Sequence, residues 1–178
     1  MISKKDVSKA LALSCVESYF LAWLKEYYAV ERLYGSSFIS IKKVFDDFDH
    51  GMLFENYTSV PRLQTVAEDY GIVTHEFINC SYQKAIDIIK NQPDNSLCLI
   101  RVNNSFFSKY KRTSWREDHY VCVDNQLNWI NHYPLSEGVF SEEELSTIYD
   151  NAVCIYKLKD SLTVLPDKIN LQKFYEDK

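Results

Sequence analysis

Three residues in this chain have the types a nucleophilic site needs: Cys15 at the start of a helical pattern, His119 at the start of a strand, and Asn131 at the end of the next strand. A thiol attacks as its thiolate, so it needs an electropositive setting and a base to take its proton. A helix N-terminus supplies the first, since its unpaired N–H groups and partial positive charge favour a thiolate and can also hold an oxyanion. An imidazole supplies the second, and a side-chain amide that accepts the imidazole N–H fixes its tautomer and angle. On this reading Cys15 is the nucleophile, with a thiol pKa drawn down by the helix start and a neighbouring imidazolium; His119 is the base and Asn131 aims it. If the helix began nearer Lys5, Cys15 would lie mid-helix as a core filler instead.

The other cysteines lack such a setting. Cys98, Cys122 and Cys154 lie inside apolar strand patterns, and Cys80 sits at a strand end before a turn. Five cysteines at irregular spacing form neither a disulfide framework nor a CxxC pair, which fits a reducing cytoplasm. His75 falls in the strand-like "IVTHEF" and is expected to be structural. His50, in the turn "DFDHG", could meet Asp46, Asp47 and Asp49 around a metal, but an acidic helix end is the better reading. His132 either faces solvent, the preferred reading, or offers a second proton-transfer group.

The elements that must position these residues can be read from periodicity. Residues 14–34 place Val16, Phe20, Trp23, Leu24 and Tyr27 on one helical face, with Gly35 beyond. Further helices are predicted at 39–48, at 61–70 between Pro61 and Gly71, and at 82–91 after Ser81. Beyond "NQPDNS" the pattern becomes strand-like: 97–102, 119–124, 127–131, a short "GVF", and 152–158. Between the last two, Ser141 and Glu144 form a capping box opening a short helix. Helices first and antiparallel strands second make the class α+β. A hairpin turning at 124–126 pairs His119 with Asn131 and puts Val121 and Val123 on one face with Trp129 and Leu127; an even loop would instead set His119 against His132. The first register gathers more apolar surface on one side and is preferred.

Composition bounds the function. The 178 residues are 46% hydrophobic, enough for one well-buried core, and a single domain over 1–178 is expected. A net charge of -5 argues against a nucleic-acid partner, since phosphate contacts need a clustered basic face. The one basic stretch, "SKYKRTSWR", reads as a solvated loop that could also dock an acidic partner. No apolar run approaches the roughly 20 residues of a membrane span. The apolar patch near the N-terminus is broken by Lys9 and too short for a signal peptide, so neither export nor a membrane is expected.

The order of these features resembles a known family. A Cys opening a long helix, then "LCLIRVNNSFF", "HYVCV", a strand ending in Asn131 before Tyr133 and Pro134, and the helix start "GVFSEEEL" are similar to papain-fold proteins of antibiotic and nonribosomal-peptide pathways. The likeness is to the butirosin acyltransferase-type N-terminal domain, related to bacteriocin-leader cysteine peptidases and to amide-forming enzymes of polythioamide assembly, and covers residues 12–158. In that family an Asp often precedes x-Tyr-Pro; here Asn131 takes its place. The chain has no glutamine shortly before Cys15 and no glycine after the histidine strand, so the oxyanion donor would be the Cys15 N–H or a group elsewhere. The resemblance implies a papain-like fold and amide formation through a cysteinyl thioester. The acyl group would come from the phosphopantetheine arm of an acyl or peptidyl carrier protein and go to a small amine, with no cofactor bound directly. A cysteine peptidase with the same site, or a catalytically silent binding module, are the alternatives.

Overall fold

The computed structural model describes residues 2–5, 7, 14–27, 67–68, 71–108, 119–132 and 134–159. The helices expected at 39–48 and most of 61–70, residues 28–34 of the one expected at 14–34, His50 and its neighbouring aspartates, and the basic stretch at 109–116 lie outside them. Within the described part the helix expected over 14–34 stops at Leu24 and passes into a turn at 25–27. Among the described residues the order is α1 (Cys15–Leu24), β1 (Val73–Asn79), α2 (Tyr82–Lys90), β2 (Leu97–Val102), α3 (Asn104–Ser108), β3 (His119–Val123), β4 (Asn128–Asn131), β5 (Ser136–Val139), α4 (Glu142–Ile148) and β6 (Tyr149–Leu158).

The strands form one sheet in the order β1-β6-β2-β3-β4-β5, with every neighbouring pair antiparallel. The α+β class is therefore correct, but helices and strands are not segregated along the chain. β1 comes from the first half and pairs with β6 at an edge, and α2 to α4 are interleaved with the strands. Residues 71–79 carry the reason: Gly71, at φ 68, takes the left-handed conformation that ends a helix and sends "IVTHEFIN" out as an extended segment.

Period-2 alternation sends each strand's side chains to both faces, and each face has its own core. On one, α1 lays Phe20, Trp23 and Leu24 against Leu97, Leu99, Cys122, Ile130, Cys154 and Tyr156. On the other, Ala85, Ile86 and Ile89 of α2, Phe106 and Phe107 of α3, and Leu145 and Ile148 of α4 cover Ile100, Val121, Val123, Trp129 and Val153. Full burial of one such Leu or Phe contributes about 1.5–3 kcal/mol. The centre of the sheet is thus fixed between two helical layers.

The β3–β4 hairpin differs from expectation in length. Cys122 stands opposite Ile130 and Val123 opposite Trp129, so continuing the ladder puts Val121, not His119, across from Asn131. The slip is two residues, which keeps every side chain on its predicted face. Its cause is the turn: Leu127 adopts φ 64 without being glycine, and the Asp124 carboxylate accepts the N–H groups of Gln126 and Asn128, both at 2.9 Å. An Asx-type cap thus stabilises a longer loop than a two- or three-residue hairpin requires.

Gly138 lies under the indole of its cross-strand partner Trp129. A Cβ there would come within 2.8 Å of Trp129 Cζ2. Trp129 in turn stacks on Phe140 and meets Phe106 edge-on, each at 5.3 Å between centroids, so it has little room to move. Gly138→Ala is expected to destabilise the protein by about 1–3 kcal/mol through overpacking. A urea midpoint equal to that of the wild type would contradict this.

Candidate active site

Ser14 decides where α1 begins. Its backbone is extended, its Oγ accepts the Glu17 N–H at 3.2 Å, and the Glu17 carboxylate accepts the Ser14 N–H at 3.1 Å and the Ser14 hydroxyl at 2.9 Å. This reciprocal capping box leaves Cys15 as the first helical residue. The S-x-x-E spacing of residues 14–17 carries that signal in the sequence. The alternative of a mid-helix cysteine is excluded, because the chain is not helical at Ser14.

β3 opens with His119, whose ring lies on the face covered by α3. Phe107 meets it edge-on at 4.8 Å and Phe106 stacks at 6.4 Å. Asn131, fully buried at the end of β4, reaches the ring diagonally, with its Oδ1 2.7 Å from His119 Nε2. Its Nδ2 donates to the Pro134 carbonyl at 2.8 Å, and a carbonyl oxygen can only accept. The amide orientation is thereby set, Oδ1 faces the imidazole as an acceptor, and Nε2 carries the ring hydrogen. Nδ1 is left as the nitrogen able to take a proton.

Cys15 approaches from the other face of the sheet, with α1. Backbone N–H groups favour its thiolate, first that of Tyr120, the residue after His119, then those of Val16 and Cys15 itself. The sulfur therefore lies against the same strand segment that carries the imidazole. The β3–β4 ladder has ended here, and the Tyr19 hydroxyl bridges the strands, donating to the Tyr120 carbonyl at 3.1 Å and accepting the His132 N–H at 2.7 Å.

The electrostatics correct one expectation. Burial pushes the Cys15 thiol up from its ordinary value, and this outweighs the amide groups that pull it down; the nearby Glu17 carboxylate adds to the rise. Burial also pushes His119 down to about 4, against the opposing effect of the Asn131 hydrogen bond and with a further lowering from His132. Both groups are neutral at pH 7. The arrangement rests as thiol and imidazole rather than as a thiolate–imidazolium pair, because desolvation disfavours both charged forms, although Cys15 itself is only half-buried.

His132, expected at the surface, is only 8% exposed, on the face that α1 covers. The remaining cysteines behave as read: all are free, with Cys98, Cys122 and Cys154 buried within strands and Cys80 Sγ 3.3 Å from the Tyr149 hydroxyl. His75 pairs with Glu68 and stacks on Tyr156 on the far side of the sheet, three strands from β3. Among the described residues no cluster of His, Cys, Asp and Glu is placed to hold a metal ion, and no helix is long and apolar enough to cross a membrane. A cleft of about 670 Å³ lies at the opposite end of α1 and β3, between Trp23, Tyr27, Pro93 and the Asp124–Gln126 turn. It is therefore separate from Cys15 and His119. The two phenylalanines of α3, the Pro134 carbonyl and the Tyr19 bridge were not legible in the sequence, since each depends on contacts between distant segments.

Comparison of the chain with protein-family models, with curated proteins and with solved structures gives no match.

Proposed function

We propose that the protein is a cysteine-dependent acyltransferase of papain-like fold that forms an amide, taking its acyl group from a carrier-protein thioester and delivering it to a small amine. The observation that carries this reading is a shared sheet end: a cysteine at a capped helix start lies, on the α1 face, against the amide of the residue that follows a histidine whose ring sits on the α3 face with its tautomer set by a buried asparagine. A thiol, a base of known tautomer and N–H donors at a helix start are the parts that acyl transfer requires.

In this mechanism thiol and imidazole, which approach from opposite faces, meet round the sheet end where the β3–β4 ladder has stopped. His119 Nδ1 takes the Cys15 proton as the sulfur attacks the thioester carbonyl, and the helix-start N–H of Cys15 holds the tetrahedral oxyanion. The donor C–S bond breaks, the departing thiol receives the proton from Nδ1, and the acyl group remains on Cys15 as a thioester. The amine then attacks that carbonyl and yields its proton to Nδ1. The Cys15 sulfur leaves, recovering the proton, and the amide departs. At physiological pH His119, with a pKa near 4, is unprotonated but a weak base, and with the thiol pushed up it can take the proton only as the new C–S bond forms. The proposed setting is the cytoplasm, within a secondary-metabolite pathway of nonribosomal-peptide type.

The test is intact-mass analysis after exposure to an acyl thioester of N-acetylcysteamine, a short mimic of the phosphopantetheine arm. The wild-type protein should gain one acyl group, Cys15→Ala should gain none, and added amine should clear the adduct as amide. An adduct that persists on Cys15→Ala would overturn the proposal. Peptide hydrolysis without aminolysis would favour the peptidase, and inertness towards both substrates the binding module.

A further inference from the structure

We infer that Tyr19 is a positioning residue for the site, its hydroxyl tying the helix that carries the nucleophile to the two strands that carry the base and its orienting amide. The inference rests on the proposed roles of Cys15 and His119 and adds a residue to them. Tyr19 lies one helical turn after Cys15, so both project from the same side of α1. It is fully buried, and its single hydroxyl makes two bonds to backbone, to the Tyr120 carbonyl at 3.1 Å and from the His132 N–H at 2.7 Å.

Those two partners are the residues immediately after His119 and Asn131. A β-ladder would join the strands by direct N–H···O=C bonds, drawing them together. Here one oxygen stands between them, and the sulfur of Cys15 is accommodated against the same stretch, at the Tyr120 amide. The relative placement of thiol and imidazole is thus set by a hydroxyl that belongs to the thiol's own helix. Displacements of about 1 Å between reacting groups cost on the order of 100-fold in rate, so a fastening at this point acts on chemistry as well as on stability. The titratable groups around the phenol are Cys15 and Cys122, His132 meeting it through its backbone N–H, and burial holds its own pKa well above the usual tyrosine range, so it remains a neutral bridge at working pH.

The test is the pH–rate profile of Cys15 alkylation by iodoacetamide, located by peptide mapping, in wild type, Tyr19→Phe and His119→Ala, at a temperature where all are folded. A base with a pKa near 4 gives the wild type a plateau from about pH 5 to 8, whereas a thiol reacting without a base loses about tenfold for each pH unit below its own pKa. Tyr19→Phe should lose the plateau and slow about 10- to 100-fold at pH 7. If it melts a few degrees lower while its profile overlies that of the wild type, Tyr19 is only structural and the inference fails, with the Cys15–His119 pair intact. If wild type and His119→Ala behave alike, the pair itself fails and the inference with it. Should Tyr19→Phe not fold, hydrogen exchange in the wild type decides. The bridge predicts that the His132 amide exchanges as slowly as the core amides of β3, and exchange at the rate of the Asp124–Gln126 turn overturns it.

Discussion

His119→Ala is expected to slow acylation of Cys15 by about 10²- to 10⁴-fold at pH 7, the range typical of a positioned general base. The magnitude follows from the resting state. With the thiol pushed up by burial, little thiolate exists at neutral pH, and the reaction depends on a group that removes the proton as the bond forms. Among the described residues His119 is the imidazole whose tautomer leaves Nδ1 basic, because Asn131 and Pro134 together fix the hydrogen on Nε2. Asn131→Ala keeps the imidazole but frees its ring, so its loss should be smaller than that of His119→Ala. Rates of thioester-dependent mass gain, measured by rapid quench, compare the three proteins. Equal rates in wild type and His119→Ala would remove the base from the mechanism.

The second large effect is on stability in acid. His119 has its folded-state pKa depressed to about 4 from an ordinary 6.5, so as pH falls through 6.5 the unfolded chain takes up a proton that the native protein refuses. Stability is therefore full above about pH 6.5 and declines as the pH drops towards 4. The difference of 2.5 pH units at 1.36 kcal/mol each gives a loss on the order of 3 kcal/mol. The neutral His119→Gln variant should lack this decline, so the stability difference between the two proteins, taken from urea unfolding at pH 7, 5.5 and 4.5, isolates the histidine from every carboxylate that titrates in the same range. A difference that does not change with pH would mean that the imidazole is not buried as described.

How much of this was legible in the sequence depends on the distance over which each feature is decided. β2 and the faces of β3 and β4 follow from alternation over a few residues, and the faces alone are enough to bring His119 and Asn131 to one side. The exact pairing was two residues off because Leu127 occupies a left-handed position usually left to Gly or Asn, stabilised by an aspartate three residues earlier. The start of α1 is local and is set by Ser14 and Glu17, although the periodicity alone had left a start nearer Lys5 open. The burial of His132 and the walls around His119 were not, since Tyr19 and Phe107 reach them from segments with no periodic relation to the hairpin. The pKa values followed the same divide: a helix start alone argues for a more acidic thiol, and only the assembled packing shows that desolvation outweighs it.

A thiol kept protonated at rest is also sheltered from oxidants. Peroxides attack the thiolate, and the low-pKa cysteines of many enzymes are for that reason the first to become sulfenic acids under stress. On the proposed mechanism Cys15 is deprotonated only while His119 takes its proton, and it should then survive peroxide exposures that inactivate enzymes built on a preformed ion pair. The same burial that makes the site slow to ionise would let it endure in a cell where the redox balance drifts.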